Sequence, residues 1–191
     1  MGVKEQMIEI LRSGETRRIS FGFVGTSGRT IAVDQTTFTR VADALQANRI
    51  NVVEGRFNTD IASYSARADS SRDLAANTFY LGRNPRYSRL FNALIVHESV
   101  HASFDLTRST LPWVDNECAA YIAQAYYARN SGLPRLAFQY GSQAIIGYSV
   151  VEGIRSESSS DVDFFLAALR DSLRTDPLYT SYIGGEFTGD G

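Results

Sequence analysis

Both histidines of the chain fall within one five-residue window, His97-Glu98-Ser99-Val100-His101, set in an apolar run with Leu94-Ile95-Val96 before it and Ala102 after. On a helix, positions i and i+4 project from the same face about one turn apart, so two imidazoles can share one metal ion. Glu98 lies one residue on from His97, close enough to reach a water beside that ion without ligating it. The window has to be helical for this chemistry to exist. The same pattern also fits two histidines packed or capped on a partly buried helix.

At 191 residues, with 43% hydrophobic and 12% aromatic residues, the chain is long enough to bury one substantial core, and residues 1–191 read as a single domain. A net charge of −2 with interspersed acids and bases gives no electrostatic reason to expect nucleic acid as a partner. One cysteine, Cys118, excludes an intrachain disulfide framework and suits a reducing compartment. No stretch is apolar enough to insert in a membrane, and the first residues lack the apolar region of a signal peptide. The expectation is a cytoplasmic protein, or one exported without a Sec-type signal. Lys4 is the only lysine. Codon bias toward arginine accounts for this; avoidance of ubiquitin acceptors, as would suit a toxin inside a eukaryotic host, is the sharper alternative.

The hydrophobic periodicity predicts an α+β fold, with strands and helices mixed in residues 1–85 and a mainly helical part over 86–175. Residues 3–11 read as an amphipathic helix, 17–24 and 30–34 as strands joined at Gly25-Thr26-Ser27-Gly28, and 37–48 as a second helix. The glycine loop lacks the lysine and following helix of a phosphate cradle, so a hairpin turn is expected. Strands are expected at 50–54, 62–67 and 78–81. Helices are expected over 87–105, 112–130, 135–153 and 161–174, with Pro112 and Pro134 at helix starts and a capping box at Ser160-Asp161-Val162-Asp163. The tail 184–191, with four glycines, reads as loose or tied down only by Phe187.

A catalytic zinc has three protein ligands and an open position, so two histidines leave one donor to find. If the motif helix climbs roughly 8 Å past His101 and an antiparallel helix returns after a loop of about five residues, the position level with His101 is near 116 or 117. Glu117 sits there, and Ala119 and Ala120 would let the two helices approach closely. Asp105 lies on the motif helix itself, better placed to accept from a ring N–H of His101 than to ligate. Asp115 falls short of the level and would help cap the returning helix. Cys118 points about 100° away from Glu117 and reads as an inert buried thiol.

With these residues in view, the segment 97–121 resembles the zincin metallopeptidases, in particular the gluzincin branch, where H-E-x-x-H on one helix is followed by a glutamate ligand on the next. Asn116-Glu117 is similar to the N-E element of the thermolysin-like members. The resemblance implies a mixed sheet before the motif helix, a glutamate general base, and an edge strand beside the cleft that pairs with extended substrate. Residues 78–81 match that strand in position. The resemblance is specific over 97–121 and architectural elsewhere.

The chain departs from the pattern in two places. The acidic residue that many gluzincins carry one turn after the glutamate ligand is here Tyr121, which leaves the partner of His97 open. There is no third histidine to stabilise an oxyanion. That role falls to a tyrosine or arginine, with Tyr121, Tyr140 and Tyr148 as candidates, each of which also reads as ordinary helix packing.

The expected activity is hydrolysis of a peptide or protein substrate. Zn2+ is held by His97, His101 and Glu117, and Glu98 takes a proton from the attacking water and passes it to the leaving amine. Two other functions fit the same residues. One is an inactive metal-binding interaction domain on a zincin scaffold. The other is the protease toxin or effector module of a larger bacterial system.

Overall fold

A computed structural model describes residues 2–57, 61–82, 88–138 and 142–191. Helix α1 (Val3–Leu11) turns Val3, Met7, Ile10 and Leu11 inward, and Ser13 then caps a single helical turn, α2 (Gly14–Arg17), by accepting from Thr16 N. That turn removes the first residues of the strand expected over 17–24. β1 (Phe21–Val24) starts at Phe21 and pairs antiparallel with β2 (Thr30–Val33). The Gly25–Gly28 loop between them is a hairpin turn, closed by Gly28 N donating to Gly25 O, with Gly28 at φ 80°.

Asp34 is not the last residue of β2 but the N-cap of α3 (Gln35–Gln46), in a reciprocal box with Thr37. Phe38, Val41, Ala42 and Leu45 form its fully buried face.

Beyond α3 comes a three-stranded mixed sheet, β3 (Asn51–Phe57), β4 (Ala62–Ser65) and β5 (Thr78–Gly82), in the order β3-β5-β4. β5 runs parallel to β3 and antiparallel to β4. Residues 78–81 are therefore the centre of the sheet and not its edge. Every position of β5 is buried. A strand paired on both sides and covered on both faces loses the polar alternation that marks a half-exposed edge, and Thr-Phe-Tyr-Leu-Gly has none. The edge beside the motif helix is β4.

The second half is mainly helical. α4 (Arg89–Leu106) is capped by Ser88, which accepts from Phe91 N; the expected start at Tyr87 lies outside the described residues. A short β6 (Thr110–Pro112) leads into α5 (Trp113–Asn130), so Pro112 is the N-cap of this helix and not its first turn. The helix expected over 135–153 divides into a 3₁₀ turn (Arg135–Phe138) and α6 (Ser142–Arg155), with 139–141 outside the described residues. α7 (Ser159–Thr175) is capped by Ser158, ahead of the expected Ser160 box.

The tail is tied down by Phe187, as one of the two expectations had it, and by strand pairing as well. β7 (Glu186–Thr188) pairs antiparallel with β6 and buries Phe187. One hydrophobic core runs through both halves. Among the described residues no helix is long and apolar enough to cross a membrane.

Candidate metal centre

α4 and α5 are buried on nearly all sides around the motif, with Ala93, Ala102, Ala119, Ala120 and Ala123 wholly inaccessible, so small side chains let the two helices pack closely. They run antiparallel. His97 pairs with Gln124 and His101 with Asn116, so partners on α5 recede as α4 advances. His97 and His101, four apart on α4, face Glu117 on α5. The two Nε2 atoms lie 3.5 and 3.8 Å from Glu117 Oε2. One ligand atom from each of the three residues falls within 4.8 Å of the others, and all three side chains are buried. This group could hold a metal ion.

The hydrogen bonding around the triad fits that reading. His97 Nδ1 lies 3.0 Å from Gln124 Oε1, and His101 Nδ1 lies 2.9 Å from Asn116 Oδ1. An amide oxygen only accepts, so each Nδ1 carries a proton and each Nε2 is left facing Glu117. Glu117 Oε2 is buried without a hydrogen-bond partner. Two ring nitrogens and an unpartnered carboxylate oxygen buried at one point call for a cation or a proton among them. Burial pushes the Glu117 carboxyl up, but His101 and then His97 outweigh it and hold the group below its ordinary value.

Glu98 lines the same cavity as the triad and reaches toward β4. Its Oε2 accepts from the backbone N–H of Tyr64 on the β4 edge at 2.8 Å. Burial is the main force on its carboxyl, opposed by His101 and aided by the Glu117 charge, and together these push it up to about 7. Tyr64 is anchored in turn by its hydroxyl, which donates to Asp105 Oδ2 at 2.6 Å. Asp105 also accepts from Asp190 N at 2.9 Å.

Asp105 therefore does not serve His101, as the sequence led us to expect; Asn116 does. On α4, Asp105 lies four residues past His101 and faces β4 and the tail, whereas Asn116 approaches from the facing helix at the level of the ring. Asp115 does not cap α5. It is fully buried, accepts from Thr26 N at 2.7 Å and pairs with Arg170 at 3.0 Å, tying the β1–β2 hairpin and α7 to α5. Cys118 is fully buried, and burial pushes its thiol up, in keeping with an inert group.

The candidate tyrosines separate. Tyr121 stands behind His97, its ring edge-on at 4.5 Å between centroids, and its hydroxyl meets that of Tyr179. Tyr140 lies outside the described residues. Tyr148 is buried elsewhere and donates to Leu133 O at 3.4 Å, so it is not a wall of the site.

The tyrosines that do line the site were missed. A cavity of about 230 Å³ opens over the triad and Glu98, walled by Ser63, Tyr64 and Ala66 on one side and Trp113, Tyr179, Tyr182 and Phe187 on the other. Tyr182 donates to Glu117 Oε1 at 3.2 Å. Burial first, and the Glu117 charge next, push the hydroxyls of Tyr179 and Tyr182 up, so both stay protonated donors. Gln124 was legible in principle, because it lies seven residues past Glu117 and thus on the same face of α5. Nothing local marks residues 179–187 as neighbours of the motif.

A larger hollow of about 560 Å³, bordered by Arg129, Arg135 and Arg155, shares no lining residue with the metal group. Comparison with known proteins gives no matching family model, no matching curated protein and no matching solved structure.

Proposed function

We propose that the protein is a zinc-dependent metallopeptidase acting on peptide or protein substrates. The observation that carries this reading is the placement of Glu98. It is a buried carboxylate beside a three-residue metal group, left out of that group, and held by a backbone N–H at the rim of a cavity. Two imidazoles and one carboxylate suit zinc better than magnesium or calcium, which prefer all-oxygen sites. Bound there, zinc would act as a Lewis acid on a carbonyl and lower the pKa of an adjacent water.

The chain's own residues supply the rest. Glu98 accepts a proton from the attacking water and returns it to the leaving amine, a role suited to a carboxyl that burial has moved to about 7. The Tyr64 N–H fixes Oε2, leaving the second oxygen free for the proton. Tyr182 spends its hydroxyl proton on Glu117 Oε1, so Tyr179 is the hydroxyl donor on the cavity wall that takes the oxyanion role the sequence left to a tyrosine. The outer edge of β4 is the strand available to pair with an extended peptide.

The test is Glu98→Gln, assayed on a mixed peptide library with zinc content measured on the same preparation. The expected result is parent-level zinc with turnover reduced by about 10²-fold or more. Full retained activity rejects the assignment.

A further inference from the structure

Residues 176–188 wrap back over the metal group from the far end of the chain. Asp176 accepts from Gln143 Nε2 at 2.7 Å, and a tight turn follows in which Tyr182 N donates to Tyr179 O at 3.0 Å and Gly185 N to Tyr182 O at 2.9 Å. Trp113 N, at the start of α5, donates to Gly185 O at 3.0 Å, and β7 then adds to β6. The last anchor is Asp190 N on Asp105. Gly189 is required just before it, since a Cβ there would stand 2.6 Å from Asp105 Cα.

The i, i+3 spacing of Tyr179 and Tyr182 sends both hydroxyls the same way, onto the metal group. Tyr182 reaches Glu117 Oε1 directly, and Tyr179 reaches His97 through Tyr121. Trp113 fills the space between, its ring centroid 4.8 Å from Tyr182, 5.0 Å from Phe187 and 6.3 Å from His101.

We infer that this C-terminal segment is a working part of the metal centre: Tyr182 is a positioning residue that holds Glu117 by Oε1, so that Oε2 alone faces the two histidines, and metal binding and docking of the segment stabilise each other. The inference rests on the metal-binding half of the proposed function and is independent of peptide hydrolysis. Carboxylate ligands are fixed by hydrogen bonds to the oxygen that does not ligate, and loss of such a partner weakens metal sites. Coupling is reciprocal by necessity: if the docked segment favours the ion, the ion favours the docked segment.

The experiment measures zinc affinity by competition with a chromophoric chelator for the full-length parent, Tyr182→Phe, Glu117→Ala and the double variant. Amide hydrogen exchange across residues 179–188 is followed with and without zinc. The phenylalanine keeps the ring packing against Trp113 and removes only the hydroxyl. The expected result is a loss of about 10- to 100-fold in affinity for Tyr182→Phe. No further loss is expected when Glu117 is already alanine, and zinc should slow exchange in the parent segment more than in the variant. Parent-like affinity in Tyr182→Phe overturns the inference. So does an equal loss in both backgrounds, because that marks a general structural effect. A parent chain that takes up no zinc overturns the metal reading and the inference with it, whereas a zinc-binding chain that cleaves no peptide overturns only the proposed activity.

Discussion

Gln124 and Glu117 share one face of α5 and grip the same imidazole from its two nitrogens: Gln124 Oε1 lies 3.0 Å from His97 Nδ1 and Glu117 Oε2 lies 3.5 Å from His97 Nε2. The proton is held on the side away from the ligand position, so the ring is oriented before any ion arrives. Replacing Gln124 with leucine should therefore lower zinc affinity by about 10- to 100-fold while the helix pair stays folded. Chelator competition gives the affinity, and circular dichroism confirms the fold. An unchanged affinity would mean that the ring needs no such support.

The edge and centre of the mixed sheet differ in what they contribute. Phe79, on β5, is fully buried, whereas Val53, on β3, is 41% exposed. Phe79→Ala should destabilise the protein by about 3–5 kcal/mol, the cost of a cavity in a packed core. Val53→Ala should stay within about 0.5 kcal/mol of the parent. Urea unfolding of the two variants measures the contrast, and equal effects would contradict the strand order.

The cap of α3 carries a pH signature. The Thr36 hydroxyl, with the Thr36 and Thr37 N–H groups, holds the Asp34 carboxyl below its ordinary value in the folded chain. Because the folded pKa is the lower of the two, the charged cap contributes fully at pH values above the unfolded pKa of about 4. Its contribution is lost as pH falls through the folded value. Asp34→Ala should cost about 1 kcal/mol at neutral pH. The gap between parent and variant should narrow in acid, as followed by chemical denaturation across pH 2–7. A gap that widens in acid would refute the cap assignment.

Several elements were readable from periodicity alone because their signals are local. The buried faces of α1 and α3, the hairpin at Gly25–Gly28 and the helices flanking the motif follow from apolar spacing and turn chemistry. Errors clustered where a side chain caps the backbone earlier than the apolar pattern begins, as Ser13, Asp34 and Ser158 do. Capping depends on one hydrogen bond and leaves little trace in hydrophobicity. β5 was misplaced for a different reason: whether a short apolar strand lies at an edge or in the centre is decided by what pairs with it, and those partners are distant in sequence.

For the site itself, the sequence determined that His97 and His101 share a helix face, that Glu98 stands beside them unligated, and that a carboxylate one helix on could meet them. Those relations follow from helix pitch and loop length. Only the tertiary structure decided that Asn116 and Gln124, and not Asp105, hold the two rings, that Tyr64 anchors Glu98, and that Tyr179 and Tyr182 close over the triad. Tyr182 reaches Glu117 across 65 positions of chain. A contact of that span is selected by how the whole core packs, and no local periodicity encodes it.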